Sequence, residues 1–221
     1  MDDSNPDQTI SHWWPRPGRR PGRELLQWHM LFHDQPEILE LAATAQDRLR
    51  GFDCLDMVEA EWLHLTTFLG PFTDEPTPGG IDAMVDQARR LLAQVRPIPV
   101  SFGRVRYDAH QVVLPAEPQR ALDPVLDAVR TATRATGHEG RTVTDPWSPH
   151  VSIAYFNRVA PMAPVASALG HQLTAIRVHI RSVSLVAQFQ VGRSWQWRLL
   201  ANVPLGPAGP GLRSGDGAGV R

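Results

Sequence analysis

The amino-acid sequence predicts an α+β fold whose order of elements is compatible with an internal duplication. Over residues 24–203, apolar residues change repeatedly between helical spacing and the two-residue spacing of an extended chain. A strand–helix–strand–strand order also occurs twice in this stretch, as expected for a repeated unit with a pseudo-two-fold axis. We therefore expect one folded domain over residues 24–203.

The same spacing places the individual elements. Helices are predicted over residues 36–52, 81–95, 118–137 and 164–170. Strands are predicted over residues 25–33, 61–70, 148–157, 174–190 and 194–205, and two further strands within 99–117 turn near Asp108. Pro36 and Gly51 are start and stop signals for the first helix. A change of alternation after Ile180 predicts a bulge in the strand 174–190.

The two ends of the chain differ in composition from the predicted domain. Residues 1–23 are polar and rich in Pro, Gly and Arg, which predicts a flexible N-terminal arm. Residues 204–221 are mostly Pro, Gly and Ala and offer little apolar surface to bury, which predicts a disordered tail.

The composition is that of a globular protein and excludes several classes. Of the 221 residues, 42% are hydrophobic and 20% are charged, and no apolar run reaches the length of about 18 residues that a membrane span needs. The N-terminus has no signal-peptide core, so we expect a cytoplasmic protein without a membrane segment. The single cysteine, Cys54, excludes an internal disulfide and a Cys-rich zinc site.

All 22 basic residues are arginine, and the sequence contains no lysine. This excludes a phosphate loop of the Walker type, a Schiff base and a covalent lysyl-nucleotide. The formal net charge of −1 also gives no overall basic surface for nucleic acid. Phosphate chemistry in this protein must therefore use histidine, arginine, hydroxyl groups and backbone amides.

The predicted strand EWLHLTTFLG, residues 61–70, carries two polar side chains on one face. Because alternate residues of a strand share a face, His64 and Thr66 point one way while Leu63 and Leu65 point the other. For one such pair, a histidine buried in the core is the simpler interpretation.

A second strand repeats this arrangement and changes that interpretation. In SPHVSIAYFN, residues 148–157, His150 and Ser152 stand as His64 and Thr66 do, 86 positions later (150 minus 64). Two copies of His-x-Thr/Ser at matching places of a duplicated layout are hard to explain by core packing alone. We interpret them as a functional pair.

With the motifs HLTTFLG and HVSIAYF, residues 24–203 resemble the two-histidine (2H) phosphoesterase superfamily, in the branch called 2′-5′ RNA ligase-like or cyclic phosphodiesterase. The resemblance implies a bilobal LigT-like fold, in which duplicated antiparallel sheets with flanking helices surround a central cleft. It implies that the motifs line this cleft from opposite lobes, with His64, Thr66, His150 and Ser152 as catalytic residues. It also implies no metal and no cofactor.

The chemistry of a 2′,3′-cyclic phosphate suits these residues. An unperturbed imidazole pKa of about 6.5 lets one histidine accept a proton and the other donate one near neutrality. The hydroxyls of Thr66 and Ser152 would hydrogen-bond the non-bridging phosphate oxygens. The expected partners are RNA 2′,3′-cyclic phosphate ends or cyclic nucleotides, acted on by a monomer. Hydrolysis is favoured over the reverse 2′-5′ ligation, and the sequence leaves open which histidine is the base.

Three further residues are candidates for substrate binding. Trp147, in the loop before the second motif, could stack on a nucleobase. Tyr155 could do the same, although its parity with Val151 and Ile153 favours core packing. Arg104 could contact phosphate or lie on a solvated sheet face.

Other interpretations remain open at this stage. His29 and His33 share a strand parity but lack a third metal ligand at a recognisable spacing, so we expect no metal site. The chain could be an RNA-end binding protein without significant turnover, although a binder does not need two proton-transfer groups. A purely structural domain would require both histidine motifs to be coincidental.

Overall fold

The structure is a computed structural model that describes residues 5–207. Its strands are β1 Leu25–Leu31, β2 Leu55–Met57, β3 His64–Phe72, β4 Ile98–Arg104, β5 Arg106–Asp108, β6 Gln111–Pro115, β7 His150–Phe156, β8 Gln172–Ile180, β9 Ser182–Val191 and β10 Ser194–Pro204. Its α-helices are α1 Pro36–Leu49, α2 Gly80–Leu92, α3 Asp123–Arg134 and α4 Met162–Leu169, and short 3-10 helices cover Ala60–Trp62 and Gln119–Leu122. The α+β class is confirmed.

The larger sheet has the strand order β10-β9-β1-β3-β7-β6-β5, and all its pairs are antiparallel. Its two halves meet at one residue pair, where Leu65 of β3 lies opposite Val151 of β7. The rest of that edge of β7, from Ala154 to Phe156, pairs with β2 instead. Because β3 and β7 pair at a single position, the two halves can diverge and leave a cleft between them.

Each half of the sheet is covered by a pair of helices. Helices α2 and α3 pack together against β10 and β3, whereas α1 and α4 pack together near β7 and β8. The connections cross over, since α1 follows β1 of one half but packs on β7 of the other. Among residues 5–207, no helix is long and apolar enough to cross a membrane. The core between these layers includes Trp28, Phe32, Phe68, Phe102 and Phe156.

The strand predicted over residues 174–190 is two strands. β8 ends at Ile180 and β9 begins at Ser182; β8 pairs with β4 in a separate two-stranded sheet, while β9 lies between β10 and β1. The change of alternation after Ile180 therefore marks a move from one sheet to the other and not a bulge.

Both motif strands carry a bulge immediately after the motif. On β3, His29 lies opposite Thr66 and Trp28 lies opposite Phe68, so Thr67 is the extra residue. On β7, Ser152 lies opposite Val113 and Ala154 lies opposite Val112, so Ile153 is the extra residue. The two bulged positions, 67 and 153, are 86 residues apart, as the two motif histidines are. A bulge inverts the parity of every residue that follows it on the strand.

Residues 5–23, predicted to be a flexible arm, lie against the domain. Thr9 is fully buried, and its Oγ1 donates to Arg158 O at 2.8 Å. Trp13 Nε1 donates to Asp56 Oδ2 at 2.8 Å. The structure differs from the predicted flexible arm because average composition, dominated here by Pro, Gly and Arg, does not reveal the few residues that make buried contacts.

The first residues of the predicted disordered tail, from Pro204 to Gly206, are part of the folded domain. Pro204 belongs to β10, Leu205 is buried, and Gly206 N donates to Leu92 O and Val95 O at 3.0 and 2.8 Å. The remainder of the predicted tail, residues 208–221, lies outside the described residues, as do residues 1–4 of the predicted arm.

We expect Gly140→Ala to lower the free energy of unfolding by about 2–3 kcal/mol. Gly140 has a φ of +59°, and a Cβ there would overlap Phe68 and Leu69, where the neighbouring Arg141 exchanges backbone hydrogen bonds with β3. Gly137→Ala is the matched control. Gly137 has a φ of +83°, but a Cβ added there would meet no atom within 4 Å, so we expect the free energy of unfolding to fall by only about 1 kcal/mol. Urea denaturation measures both, and equal losses would contradict the steric argument.

Candidate active site

The four motif residues come together where β3 and β7 touch. Leu65 lies opposite Val151 in an antiparallel pair. Continuing that register by one residue in each direction places His64 across from Ser152 and Thr66 across from His150. The two histidines therefore occupy one diagonal of a four-residue array and the two hydroxyls occupy the other. All four line a cavity of about 660 Å³ between the halves of the sheet.

Both imidazoles are held by the same backbone interaction. His64 Nδ1 lies 2.8 Å from Trp62 O, and His150 Nδ1 lies 2.7 Å from Ser148 O. A carbonyl oxygen only accepts hydrogen bonds, so Nδ1 carries the proton in each ring and donates it. This fixes the tautomer and leaves Nε2 as the atom that can exchange a proton with a ligand.

Burial keeps both rings neutral in the free protein. It lowers the pKa of His64 to about 4, although the Trp62 carbonyl acts in the opposite direction, and the nearby His150 lowers that pKa further. Burial also lowers the pKa of His150, whereas the Ser148 carbonyl opposes the shift; of the nearby charges, Arg106 lowers this pKa and Asp108 raises it. An anionic phosphate in the cavity would favour the charged form of either ring.

The surroundings of His64 are set by a second histidine. The ring of His29 stacks on that of His64, with centroids 4.1 Å apart and planes at 21°. His29 is fully buried, its Nε2 donates to Gln27 Oε1 at 2.9 Å, and burial holds its pKa well below the ordinary value. A neutral ring therefore shields one face of His64 from water. His29 lies opposite Thr66 of the first motif. In the other half of the sheet, the residue opposite Ser152 of the second motif is Val113.

The surroundings of His150 are set by a glutamine and a carboxylate. Gln111 Nε2 lies 3.2 Å from His150 Nε2 and donates to Asp108 Oδ2 at 3.1 Å, while Gln111 Oε1 accepts from Ser152 Oγ at 2.8 Å. Burial alone would raise the pKa of Asp108, but the hydrogen bonds from Arg106 and Gln111 lower it. The ionised carboxylate thus orients the Gln111 amide, whose nitrogen contacts His150 and whose oxygen contacts Ser152.

Gln111 has a structural counterpart in the first half. Gln27 pairs with Leu69 on β3, and Gln111 pairs with Tyr155 on β7, at positions 86 residues apart on the motif strands. Both glutamines line the cavity. Neither glutamine belongs to a recognisable sequence motif, because their equivalence is visible only in the strand register.

The structure places the three predicted binding residues differently. Tyr155 lines the cavity, because the bulge at Ile153 returns it to the face of His150 and Ser152. Tyr155 is only 7% exposed and belongs to the hydrophobic core, so it packs in the core, as expected, and lines the cavity as well. Burial raises the pKa of Tyr155 to about 12, so its hydroxyl remains protonated.

Trp147 and Arg104 lie elsewhere. Trp147 Nε1 donates to Thr66 O at 3.3 Å, and its ring contributes to a neighbouring pocket and not to the lining of the cleft. This bond links the loop before the second motif to the strand of the first motif. Arg104 ends β4, which belongs to the two-stranded sheet, and it pairs there with Gln172. Arg106, on β5, lies closer to the second motif, where it donates to Asp108 Oδ1 and Ser148 Oγ.

The N-terminal segment contributes five cavity residues that no sequence motif indicates. They are His12, Trp14, Arg16, Pro17 and Arg19. The ring of His12 stacks on Tyr155 at 4.0 Å, and its Nε2 accepts a hydrogen bond from Trp195 Nε1 at 3.0 Å. Burial lowers the pKa of His12 to about 3. A cluster of Trp and Arg in the arm was the available signal, but nothing in the sequence tied it to the motifs.

Over residues 5–207, no three His, Cys, Asp or Glu side chains are grouped so that they could hold a metal ion. His29 stacks on His64, whereas His33 is exposed beyond the end of β1.

The family model of the 2′-5′ RNA ligase superfamily matches residues 39–190, a range that contains both motifs. The chain belongs to this superfamily. Comparison with curated proteins found no match. The recognition of a 2H phosphoesterase from HLTTFLG and HVSIAYF is therefore confirmed at the level of the family.

Solved structures support the same fold. Escherichia coli LigT complexed with NADP+ shares 17% identity and a TM-score of 0.61, covering 83% of this chain and 98% of that chain. TT0787 of Thermus thermophilus shares 16% identity and a TM-score of 0.62, covering 82% and 97%. The MHV ns2 PDE domain shares 14% identity and a TM-score of 0.51, covering 80% and 99%. At these identities the likeness concerns the fold, and the bilobal LigT-like expectation is confirmed.

We expect the free energy of unfolding to decrease as the pH falls from about 6.5 toward 4. The unfolded chain binds protons at His12, His29 and His64 near the ordinary pKa, but the folded protein keeps these rings neutral to much lower pH. The stabilisation is therefore complete above about pH 6.5, and each such histidine costs about 1.4 kcal/mol per pH unit below it.

Urea denaturation at pH 7.5, 6 and 5 measures this dependence. His12→Gln should reduce the slope by about one proton, whereas His179→Gln, at an exposed position of β8, should leave the slope unchanged. A free energy of unfolding that stays constant between pH 7.5 and 5 would contradict the burial argument.

Proposed function

We propose that this protein is a metal-independent phosphoesterase that opens 2′,3′-cyclic phosphates of RNA ends or nucleotides by two-histidine acid–base catalysis. One observation carries the proposal. His64 and His150 occupy opposite corners of an array whose other corners are Thr66 and Ser152, and each ring is fixed through Nδ1 to a backbone carbonyl.

The diagonal arrangement suits an in-line displacement at phosphorus. Diagonal neighbours on paired strands lie about 7–8 Å apart, which leaves room for a phosphate between two imidazoles. With the hydroxyls of Thr66 and Ser152 on the non-bridging oxygens, one imidazole stands on the side of the attacking water and the other on the side of the leaving oxygen. Two proton-transfer groups in these places need no metal to activate the water.

The proposed reaction is the hydrolysis of the cyclic phosphate. The base removes a proton from water as the new P–O bond forms, and the bond from phosphorus to the ribose 2′- or 3′-oxygen breaks. The acid gives its proton to that oxygen, so the product is a 3′- or 2′-monophosphate. A 5′-hydroxyl in place of water, attacking the same cyclic phosphate, would form a 2′-5′ linkage. Hydrolysis is favoured because the net charge of −1 provides no broad surface to grip a second RNA strand.

Within this proposal, His64 is the base and His150 is the acid. His64 has a pKa of about 4 and stacks on a neutral ring, so it is ready to accept a proton. His150 is also buried, and the Asp108 carboxylate, which has no counterpart beside His64, favours its protonated form against the opposing charge of Arg106. The asymmetry between His29 and Val113 thus divides the roles of two otherwise equivalent histidines.

Nucleotide ligands of structural neighbours support the substrate class. Escherichia coli LigT has been crystallised with 3′-AMP, at 14% identity and a TM-score of 0.62, and also with ATP and NADP+. Arginines line the cavity of this chain, and their positive charge suits anionic ligands such as these nucleotides.

We expect His64→Ala and His150→Ala each to lower kcat by about 10²–10⁴-fold on a 2′,3′-cyclic mononucleotide, because each removes one proton transfer. Release of monophosphate, followed by chromatography in the presence of EDTA, measures the rate. His33→Ala, at an exposed histidine outside the cleft, is the control and should retain full turnover. Wild-type protein that produces no monophosphate, or turnover that survives both substitutions, would reject the proposal.

We expect kcat/KM to follow a bell-shaped pH profile with an optimum below about pH 6.5. A base with a pKa of about 4 stays active to low pH, and an acid whose pKa is lowered loses its proton before pH 6.5. Asp108→Asn removes a charge that raises the pKa of His150, so the alkaline limb should move to lower pH while the acidic limb stays in place. If the acidic limb moves instead, His150 is the base.

A further inference from the structure

The N-terminal segment crosses the mouth of the cleft from one half of the sheet to the other. On the β7 side, Trp13 Nε1 donates to Asp56 of β2, the strand that pairs with β7. On the β3 side, Arg23 forms an ion pair with Asp74 just beyond the end of β3. Residues 14–22 are therefore held across the cavity between two anchors.

Two arginines of this crossing segment face the cavity without an acidic partner. The guanidinium groups of Arg16 and Arg19 lie 4.8 and 4.7 Å from the ring centroid of Trp195. Arg19 donates to Gln188 O and Oε1, at 3.2 and 2.6 Å. Arg16 Nη1 is buried and lacks a hydrogen-bond partner within the described part of the chain. No carboxylate of residues 5–207 forms an ion pair with either arginine.

The charges at this end of the cavity repel one another. Burial, followed by the charges of Arg16 and Arg141, lowers the pKa of Arg19 to about 10. The carboxylates that line the same cavity, Asp108 and Glu75, are already bonded to other arginines. An anionic ligand bound between the guanidinium groups would remove this repulsion.

These arginines are separated from the reacting position by intervening side chains. The path from Arg19 to the first motif runs through Gln188, Gln27 and His29 before it reaches His64. The path from Arg16 to the second motif runs through His12 and Tyr155. Arg16 bonds His12 and Arg19 bonds Gln188, neither of which belongs to a motif, so both arginines are available for a phosphate other than the one held by the motif hydroxyls.

We propose that Arg16 and Arg19 form a second anion subsite, which binds a phosphate of the substrate other than the one that reacts. The nature of the reacting group rests on the proposed function. The substrate class is then a nucleotide or RNA end with two phosphoryl groups, the second being a 5′-phosphate or the next phosphodiester. Guanidinium groups suit this task because they bind phosphate oxygens in a bidentate manner. The segment precedes residues 39–190, so this subsite is an addition to the part that the superfamily model covers.

Steady-state kinetics on the full chain test the subsite with three substrates. They are cytidine 2′,3′-cyclic phosphate, its 5′-phosphorylated form, and a dinucleotide with a 5′-hydroxyl that ends in the cyclic phosphate. The wild-type protein should show a kcat/KM at least about 10-fold higher for one or both of the two-phosphate substrates. Which of them benefits identifies the second phosphate. In the Arg16→Gln/Arg19→Gln double variant this preference should fall to within about 2-fold.

Arg20→Gln is the matched control, since it removes the same charge from the same segment at an exposed position. It should preserve the preference of the wild-type protein. A wild-type preference near 1, or a preference that the double variant retains, would overturn the subsite.

Calorimetry separates this proposal from the proposed function. Nucleoside 3′,5′-bisphosphate should bind the wild-type protein at least about 10-fold more tightly than nucleoside 3′-monophosphate, and the double variant should lose this difference. If no cyclic phosphate is opened but this difference is observed, the subsite stands and the function fails. If all three substrates are opened equally and both ligands bind equally, the function stands and the subsite fails.

Discussion

One pairing in the sheet, between Leu65 and Val151, determines the geometry of the candidate site. Both side chains are fully buried and neither takes part in chemistry. Their contact fixes the register of β3 against β7, and a slip of one residue would turn His64 or His150 to the other face of its strand. Because the contact is a single pair, the strands can separate beyond it and leave the space that a substrate needs. Burial of two apolar side chains thus sets the relative positions of four polar ones.

The motif strands and their neighbours β1 and β6 have matching registers about this pair, whereas the environments of the two histidines differ. Bulges, hydroxyls and cleft-facing glutamines recur at equivalent positions in the two halves. His29 stacks on His64, whereas Val113 occupies the equivalent position in the other half. Asp108 lies near His150 and has no counterpart near His64. A symmetric scaffold supplies two equal places for proton transfer, and their unequal neighbours can assign a different proton affinity to each. This explains how a duplicated fold could serve a reaction that needs both an acid and a base.

The N-terminal segment adds a wall to this cleft from outside the range of the superfamily model. It lines the space between the halves of the sheet and brings the half-buried Arg16 and Arg19 into a positively charged region. Burying two guanidinium groups without carboxylates is unfavourable in the free protein, since their hydration is reduced and they repel each other. The flanking contacts of Thr9, Trp13 and Arg23 hold the segment in place and offset part of this cost.

The sequence by itself determined the α+β class, the positions of most helices and strands, and the pairing of His64 and Thr66 with His150 and Ser152. These features depend on local periodicity and on a motif that occurs twice, and both can be read along one chain. Tertiary structure alone decided the rest. Tyr155 faces the cleft because of a bulge that exists only against the partner strand β6, and Gln27 and Gln111 correspond only through strand register. The N-terminal segment contributes to the site because particular side chains find buried partners, which average composition does not reveal. The physical reason is the same in each case: which face a residue presents depends on its neighbour across the sheet, and that neighbour is distant in sequence.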